Sequence, residues 1–413
     1  MHRPSMIVVA CSILMGVTAP ATMAADITVC PEPGSCDHTS IRDAINAAND
    51  GDVIRISAGT YTEGHTINTG GKRISLEGAT DSNGNPATIV DGENSYQVFR
   101  INSGETAQTV ISNLVIQNGQ GDETHSAGGM SIDFSRPYIR NCKFQLNIGY
   151  SPQSSSKFFL GGAVRVTSSS DPAFYRCVFS LNVAGAGSGG AVACLDSSIT
   201  MEQCRMYANT ALISGGAVSL LSDSGGTYTA TFTNCTMNSN FTTGIPGTGV
   251  AGGAGLVSSS VRVVMDGCTI NSNSSALGAA VTLANAGNSS FKDCEISKNN
   301  IGAALASGIS SSLGTTTLNN TKVCSNRTAS DPPRGSGLGC ESPQQIGCTV
   351  KGGSTDCDCP SQGGDFDGDG DVDVDDYNGL GEELGICTGD LNGDGMVDAA
   401  DLGLLIVVWG ACP

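Results

Sequence analysis

The stretch Cys142-Lys143-Phe144-Gln145-Leu146-Asn147 recurs down the middle of this 413-residue chain as Cys-x-apolar-x-x-Asn. Five further copies begin at Cys177, Cys204, Cys235, Cys268 and Cys294 and end at Asn182, Asn209, Asn240, Asn273 and Asn299; a last copy has Thr321 in place of Cys and ends at Asn326. A Gly-Gly or Gly-Ala step precedes each Cys, and successive steps lie 26 to 37 residues apart. A repeat of this length is typical of a solenoid.

Within each copy, the residues alternate with a period of two, which indicates strands and not helices. Cys142 and Phe144 point to one side of the predicted strand, and Lys143 points to the other. If each repeat forms one coil, equivalent residues stack about 4.8 Å apart. We therefore predict a column of Asn side chains that hydrogen-bond along the stack and a column of buried, reduced thiols.

The N-terminal region predicts export and a capped solenoid. A basic start, an apolar stretch from Met6 to Val17 and small residues up to Ala25 indicate a secretory signal peptide over residues 1–25. The sequence after it contains no stretch long enough to span a membrane. The pattern from Ser40 to Asp43 predicts a helix start, and a short amphipathic helix here would cover the open end of the core.

Export permits disulfides, and we expect them near the ends of modules, not inside the repeat. The predicted pairs are Cys30 with Cys36, Cys340 with Cys348, and Cys387 with Cys412.

Two acidic loops near the C-terminus match the spacing of calcium loops. The predicted ligand positions are Asp365, Asp367, Asp369, Asp371, Asp373 and Asp376 in the first loop, and Asp390, Asn392, Asp394, Met396, Asp398 and Asp401 in the second. Gly occupies position 6 of each loop, where the chain must turn sharply. Residues 365–413 contain 11 Asp, 2 Glu and no Lys or Arg, so bound cations would relieve their repulsion. We predict that two Ca²⁺ ions bind here.

The repeat region resembles right-handed parallel β-helix proteins. Its Gly-Gly-Ala-Val steps and its Phe144-x-x-Asn147 and Phe179-x-x-Asn182 motifs are similar to polymorphic outer membrane protein repeats. That resemblance implies an adhesin-like solenoid at a cell surface.

The last 49 residues resemble a type I dockerin, because both loops are complete and end in Asp376 and Asp401. This resemblance implies a small α-helical module with paired EF-hand-like loops that attaches the protein to a cohesin domain. The expected organisation is a signal peptide (1–25), a mainly β, right-handed parallel β-helix (26–327), a Cys/Gly/Pro-rich terminal coil and linker (328–364) and a dockerin-like module (365–413).

The repeat region shows no evident catalytic column. The weak catalytic candidates are Asp122, Glu123 and His125, in a Gly-rich loop before the first full repeat. A possible basic face for anionic glycans would combine Arg140, Lys143, Arg165, Arg176 and Arg205. A net charge of −19 argues against nucleic-acid binding.

The leading hypothesis from the sequence is a secreted, extracellular or cell-surface protein that binds a glycan or a cell surface and is attached to a cohesin-like partner. One alternative is a polysaccharide lyase or glycoside hydrolase carried on the same scaffold, since many dockerin-bearing proteins degrade polysaccharides. A second alternative is a passive structural spacer.

Overall fold

The structure is a computed structural model. It describes residues 24–122, 127–149, 161–185, 187–243, 254–303, 308–324, 326–328, 338–340, 349–351, 371–372 and 410–411. The predicted signal peptide up to residue 23 and most of residues 352–413 lie outside these ranges.

The repeats form coils of a parallel β-helix, as predicted. A representative coil has four short strands, Met130–Asp133, Tyr138–Arg140, Lys143–Gln145 and Ile148–Gly149. Each strand pairs in parallel with the equivalent strand of the next coil, for example Phe144 with Phe179. The strands therefore stack into three long sheets around one core.

Sheet I has 20 strands arranged in two columns. Column a consists of Ile67–Asn68, Phe99–Ile101, Met130–Asp133, Val164–Thr167, Val192–Leu195, Val218–Leu221, Leu256–Ser259 and Leu338–Cys340. Column b consists of Asp26–Val29, Val53–Ile56, Ser75–Gly78, Val110–Ser112, Tyr138–Arg140, Ala173–Tyr175, Ile199–Glu202, Thr229–Thr233, Arg262–Asp266 and Thr349–Lys351. Two long strands, Val281–Lys292 and Ile309–Asn319, run through both columns.

Sheets II and III complete the coils. Sheet II contains Gly59–Tyr61, Thr88–Asp91, Leu114–Gln117, Lys143–Gln145, Val178–Ser180, Arg205–Tyr207, Thr236–Asn238, Thr269–Asn271, Glu295–Ser297 and Lys322–Cys324. Sheet III contains Ile148–Gly149, Val183–Ala184, Thr210–Ala211, Phe241–Thr242, Ser274–Leu277, Asn300–Ala303 and Arg327–Thr328. A separate antiparallel pair joins Asp371–Val372 to Gly410–Ala411.

The predicted cap helix spans Ile41–Ala47 and buries Ile41, Ala44 and Ile45. Ser40 caps its start by accepting a hydrogen bond from the backbone N–H of Asp43. The rest of the cap comes from Glu63, whose carboxylate accepts from the Ser40 hydroxyl at 2.6 Å and from the Ile41 N–H at 2.7 Å. Within the described residues, no helix is long and apolar enough to span a membrane.

Lys72 closes the other end of this helix. Its Nζ donates to the backbone carbonyls of Ile45, Asn46 and Ala48 at 2.6 to 2.9 Å. A cation is favourable here because the last carbonyls of a helix carry partial negative charge.

The predicted Asn column is present and fully buried. From Asn147 to Asn299, each side-chain amide donates to the Asn side chain of the following coil and to a backbone carbonyl of the preceding one; Asn209, for example, reaches Asn240 Oδ1 at 2.9 Å and the Phe179 carbonyl at 3.0 Å. The column runs unbroken through Asn147, Asn182, Asn209, Asn240, Asn273, Asn299 and Asn326. It begins one coil earlier, where the Gly119 N–H donates to Asn147 Oδ1.

The segment from Ile111 to Asn118 is a degenerate copy of the repeat, and its ladder position lies one residue after its end. Strand register pairs Phe144 with Ile116, so Gly119, and not Asn118, lies at the ladder position. Asn118 instead has a left-handed backbone, and its side chain donates to Asp91.

The repeat cysteines are buried free thiols, as predicted. Burial raises the pKa of Cys142 to about 12, and its thiol lies within hydrogen-bonding distance of the Ile111 carbonyl in the preceding coil. In the last coil, Thr321 takes the place of Cys, and its hydroxyl accepts from the Cys294 N–H.

The predicted Cys30–Cys36 disulfide is confirmed. Cys340 lies in a described strand, but Cys348, Cys387 and Cys412 lie outside the described residues, so the other two bridges stay predictions.

We predict that Asn209→Ala lowers the free energy of unfolding by about 2–4 kcal/mol, because it leaves buried backbone and side-chain groups of Asn182, Phe179 and Asn240 without partners. Thermal and denaturant unfolding measure this loss. The matched control is Asn238→Ala, which removes a partly exposed amide from sheet II. Equal effects of the two substitutions would contradict a stabilising ladder.

Candidate functional site

The outward side chains of column a are sheltered over several coils. Strand register aligns Arg100, Ser131, Arg165, Ala193 and Ser219 in consecutive coils, all pointing away from the core. Ser131, Ala193 and Ser219 are nevertheless at most 1% exposed. This outward face is therefore sheltered from solvent, and we call it the column-a groove.

Two arginines lie in this groove on either side of Ser131. Because one strand separates their strands, the backbones of Arg100 and Arg165 are two strand spacings apart, about 10 Å. The Nε atom of each is buried and has no hydrogen-bond partner. Buried polar atoms are normally paired, so both guanidinium groups retain unused donors.

Asp133 is the carboxylate nearest to Arg165 in the described part of the groove. Its Oδ1 lies 4.0 Å from Arg165 Nη1, with side-chain exposures of 22% and 20%. The Thr167 hydroxyl donates to the same carboxylate oxygen. Burial lowers the pKa of Arg165, and the Asp133 charge opposes that shift. An arginine stays protonated despite such a shift, so the groove carries fixed positive charge.

The floor between the two arginines is held by side-chain hydrogen bonds. The Ser131 hydroxyl donates to Gln97 Oε1 at 3.0 Å, and Gln97 Nε2 donates to the Ala127 carbonyl at 2.7 Å. Gln97 is itself buried. Ser131 is thereby fixed, and the arginines project from a rigid base.

Glu105 anchors the corner that follows Asp133. Its side chain is buried, and it accepts from the Thr69 and Ser135 hydroxyls at 2.6 and 2.7 Å and from the Gly71 and Ser103 N–H groups at 2.9 and 2.7 Å. Burial by itself would raise the pKa of Glu105, but these four hydrogen bonds outweigh it and lower the pKa. One carboxylate thus joins three successive coils just below the groove.

The sequence candidates for catalysis are only partly described. Asp122 is exposed, in the loop that leads from Gly121, which hydrogen-bonds to Ile148, into the strand Met130–Asp133. Glu123 and His125 lie outside the described residues. Their role stays a prediction.

The predicted basic face is wrong as a single surface. Arg140 projects from column b and pairs with Glu77 at 3.7 Å, Lys143 and Arg205 project from sheet II, and Arg176 lies in a turn over the Tyr175 ring. Only Arg165 lies in the column-a groove. The cause is geometric: of the five residues only Lys143 and Arg205 share a position along the coil, and the other three each occupy a different one.

Sequence reasoning missed Arg100, Ser131 and Asp133. The coil of Arg100 contains neither a Gly-Gly step nor a Cys-x-apolar-x-x-Asn copy, so the repeat could not be aligned there. An alignment of Phe99–Ile101 on Met130–Asp133 by alternation alone would have placed Arg100 in line with Ser131.

The predicted calcium ligands lie outside the described residues, except that the backbone of Asp371 forms a strand with Val372. Elsewhere in the described chain, no three His, Cys, Asp or Glu side chains cluster as a metal site. The Asp and Asn oxygens of the two loops are the donor type that Ca²⁺ prefers, so the donor set fits the ion.

The chain matches a family model described as right handed beta helix region. The match covers residues 82–251, the part of the solenoid that contains the groove. No curated protein matches the sequence.

Solved structures that resemble this one have very different sequences. A pectin methylesterase from carrot is 14% identical with a TM-score of 0.39, covering 80% of this chain and 90% of that one. The pectate lyase Pel9A is 14% identical with a TM-score of 0.44, covering 71% and 79%. Pectin methylesterase PemA from Erwinia chrysanthemi is 12% identical with a TM-score of 0.35, covering 72% and 90%. At these values the likeness carries no conclusion about activity.

Glu105→Gln should lower the free energy of unfolding at neutral pH by about 2 kcal/mol, because an amide cannot accept four hydrogen bonds as a carboxylate does. The folded pKa is lowered, so the carboxylate's contribution is complete above its unfolded pKa of about 4.3 and is lost as the pH falls through the folded value. Denaturant unfolding at neutral and acidic pH should show the difference from wild type shrinking in acid. Glu202→Gln, at an exposed position of column b, is the control; a pH-independent difference at Glu105 would contradict this account.

Proposed function

We propose that this protein is a secreted solenoid that binds acidic glycans in the column-a groove and is attached to a partner through its C-terminal module. The observation that carries the binding proposal is the pair of buried Nε atoms of Arg100 and Arg165, which have no hydrogen-bond partner and lie on either side of Ser131.

An acidic polysaccharide fits this groove chemically. A guanidinium group binds a carboxylate with two parallel hydrogen bonds, and shelter from water strengthens such a pair. The arginines are two strand spacings apart, about 10 Å. A uronic-acid chain presents carboxylates at regular intervals, so one chain can reach both arginines while its hydroxyls meet the partly exposed Asp133.

A polysaccharide-degrading enzyme is the second candidate, and Asp133 is the residue that favours it. Its carboxylate is fixed by Thr167 and lies 4.0 Å from Arg165 Nη1, so an acid–base group and a cation stand side by side. A glycosidase pair requires two carboxylates across one groove, and the described part of the groove contributes Asp133 alone. We therefore favour binding over catalysis.

The C-terminal module supplies attachment in this proposal. The two loops of residues 365–376 and 390–401 would each hold one Ca²⁺, and the folded module would dock onto a cohesin-like domain. The predicted signal peptide and the disulfide between Cys30 and Cys36 are consistent with export.

We expect the wild-type protein to bind oligomers of galacturonate or alginate and not neutral oligosaccharides of the same length. Arg100→Ala and Arg165→Ala should each weaken binding about tenfold, since each removes one charge-assisted pair. Titration calorimetry at low and high salt measures this, and the affinity should fall as salt rises.

The matched control is Arg205→Ala, which removes an exposed arginine of sheet II in a neighbouring coil. An equal loss in all three variants would indicate general charge attraction and would contradict a built site. If incubation with these oligomers gave shortened products or unsaturated sugar ends, and Asp133→Asn or Asp122→Ala abolished them, the protein would be a polysaccharide-degrading enzyme instead.

Calcium titration of the full-length protein should show two sites. Asp365→Ala and Asp390→Ala should each abolish one of them, because each removes the first ligand of its loop. Cohesin-like domains should bind only when calcium is present. The control is Glu77→Ala, which removes a surface carboxylate of column b and should leave calcium binding unchanged. If the full-length protein bound no calcium, the attachment proposal would be wrong.

A further inference from the structure

Phe134 is a large apolar side chain in an unusual place. It follows Asp133 directly, it is 71% exposed, and its φ of +53° lies in the left-handed region. Nearby turns of other coils also use left-handed backbone, but with small polar residues. These are Ser168, Asp196, Ser260 and Asn285.

Both features of Phe134 oppose folding stability. Left-handed backbone is unfavourable for a bulky residue, whereas Asn and Asp tolerate it. An exposed aromatic ring gains nothing from burial. Strain of this kind persists where the surrounding structure imposes it, and it is concentrated at functional sites.

Phe134 lies at the corner that ends the column-a strand Met130–Asp133, directly after Asp133. In a regular strand, alternation would send one of Asp133 and Phe134 into the core. The left-handed turn interrupts that alternation, so the carboxylate is partly exposed and the ring beside it is largely exposed. The next residue, Ser135, is clamped by Glu105 below, which fixes the corner.

We propose that Phe134 stacks on the sugar ring next to the one whose carboxylate binds Arg165. This inference rests on the proposed function. The C–H bonds on one face of a pyranose are weakly positive and are attracted to the negative face of an aromatic ring. A bound glycan would thus form an ion pair with Arg165 and a stacking contact with Phe134.

The Phe134→Asn variant tests this, because it removes the ring and suits the left-handed backbone. We expect a higher Tm than wild type together with affinity for a galacturonate or alginate tetramer lowered about tenfold. Phe134→Tyr should bind as wild type does. In NMR spectra of the bound tetramer, upfield shifts of sugar C–H protons should be present in wild type and absent in Phe134→Asn.

The control is Leu146→Asn, at a left-handed, 45% exposed position in the corner between sheets II and III. It should raise Tm in the same way and leave affinity unchanged. Wild-type affinity in Phe134→Asn, with binding still dependent on Arg165, would overturn the stacking inference and leave the proposed function standing. Absence of tetramer binding by the wild-type protein would overturn both.

Discussion

The buried Asn ladder is the interaction on which the rest of the molecule depends. Each Asn amide is bonded to the coil above and the coil below, so every coil must rise by one strand spacing in the same register. An offset of one residue would bring a solvent-facing residue into the ladder position and break bonds on both sides. Since the inside of each coil is fixed in this way, the outside is fixed too. The alignment of Arg100, Ser131 and Arg165 follows from that register.

Other ladders apply the same rule at other corners. At the corner after column a, the Ser135 N–H donates to Ser170 Oγ, and the Ser170 N–H donates in turn to Ser197 Oγ. Glu105 ends this series with a carboxylate that takes four donors. The turns are therefore as rigid as the strands, and a turn residue such as Phe134 is held in a conformation it would not adopt alone.

Features that recur in every repeat, or that depend on a short local pattern, could be predicted from the sequence, whereas contacts between different coils could not. The Asn and Cys columns recur at visible spacing, and the helix start at Ser40 and the Cys30–Cys36 bridge are local patterns. Partners supplied by other coils were not predictable in this way. Glu63 completes the helix cap from 22 residues away, and Lys72 closes it from 24 to 27 residues away. The column-a groove could not be predicted because the coil of Arg100 lacks the repeat motif. The prediction of a basic face was wrong because it grouped basic residues without regard to their positions along the coil.

The extent of the groove bears on why attachment would matter to this protein. Beyond Arg165, the outward column continues with Ala193 and Ser219, so the arginines of the described column span three coils. A site this short engages only a few sugars, and two arginine–carboxylate pairs supply modest affinity. If the C-terminal module holds the protein on a partner that already lies on the polysaccharide, the effective concentration of glycan at the groove rises without any new contact. Calcium-dependent attachment would then compensate for the modest affinity of the solenoid for the glycan.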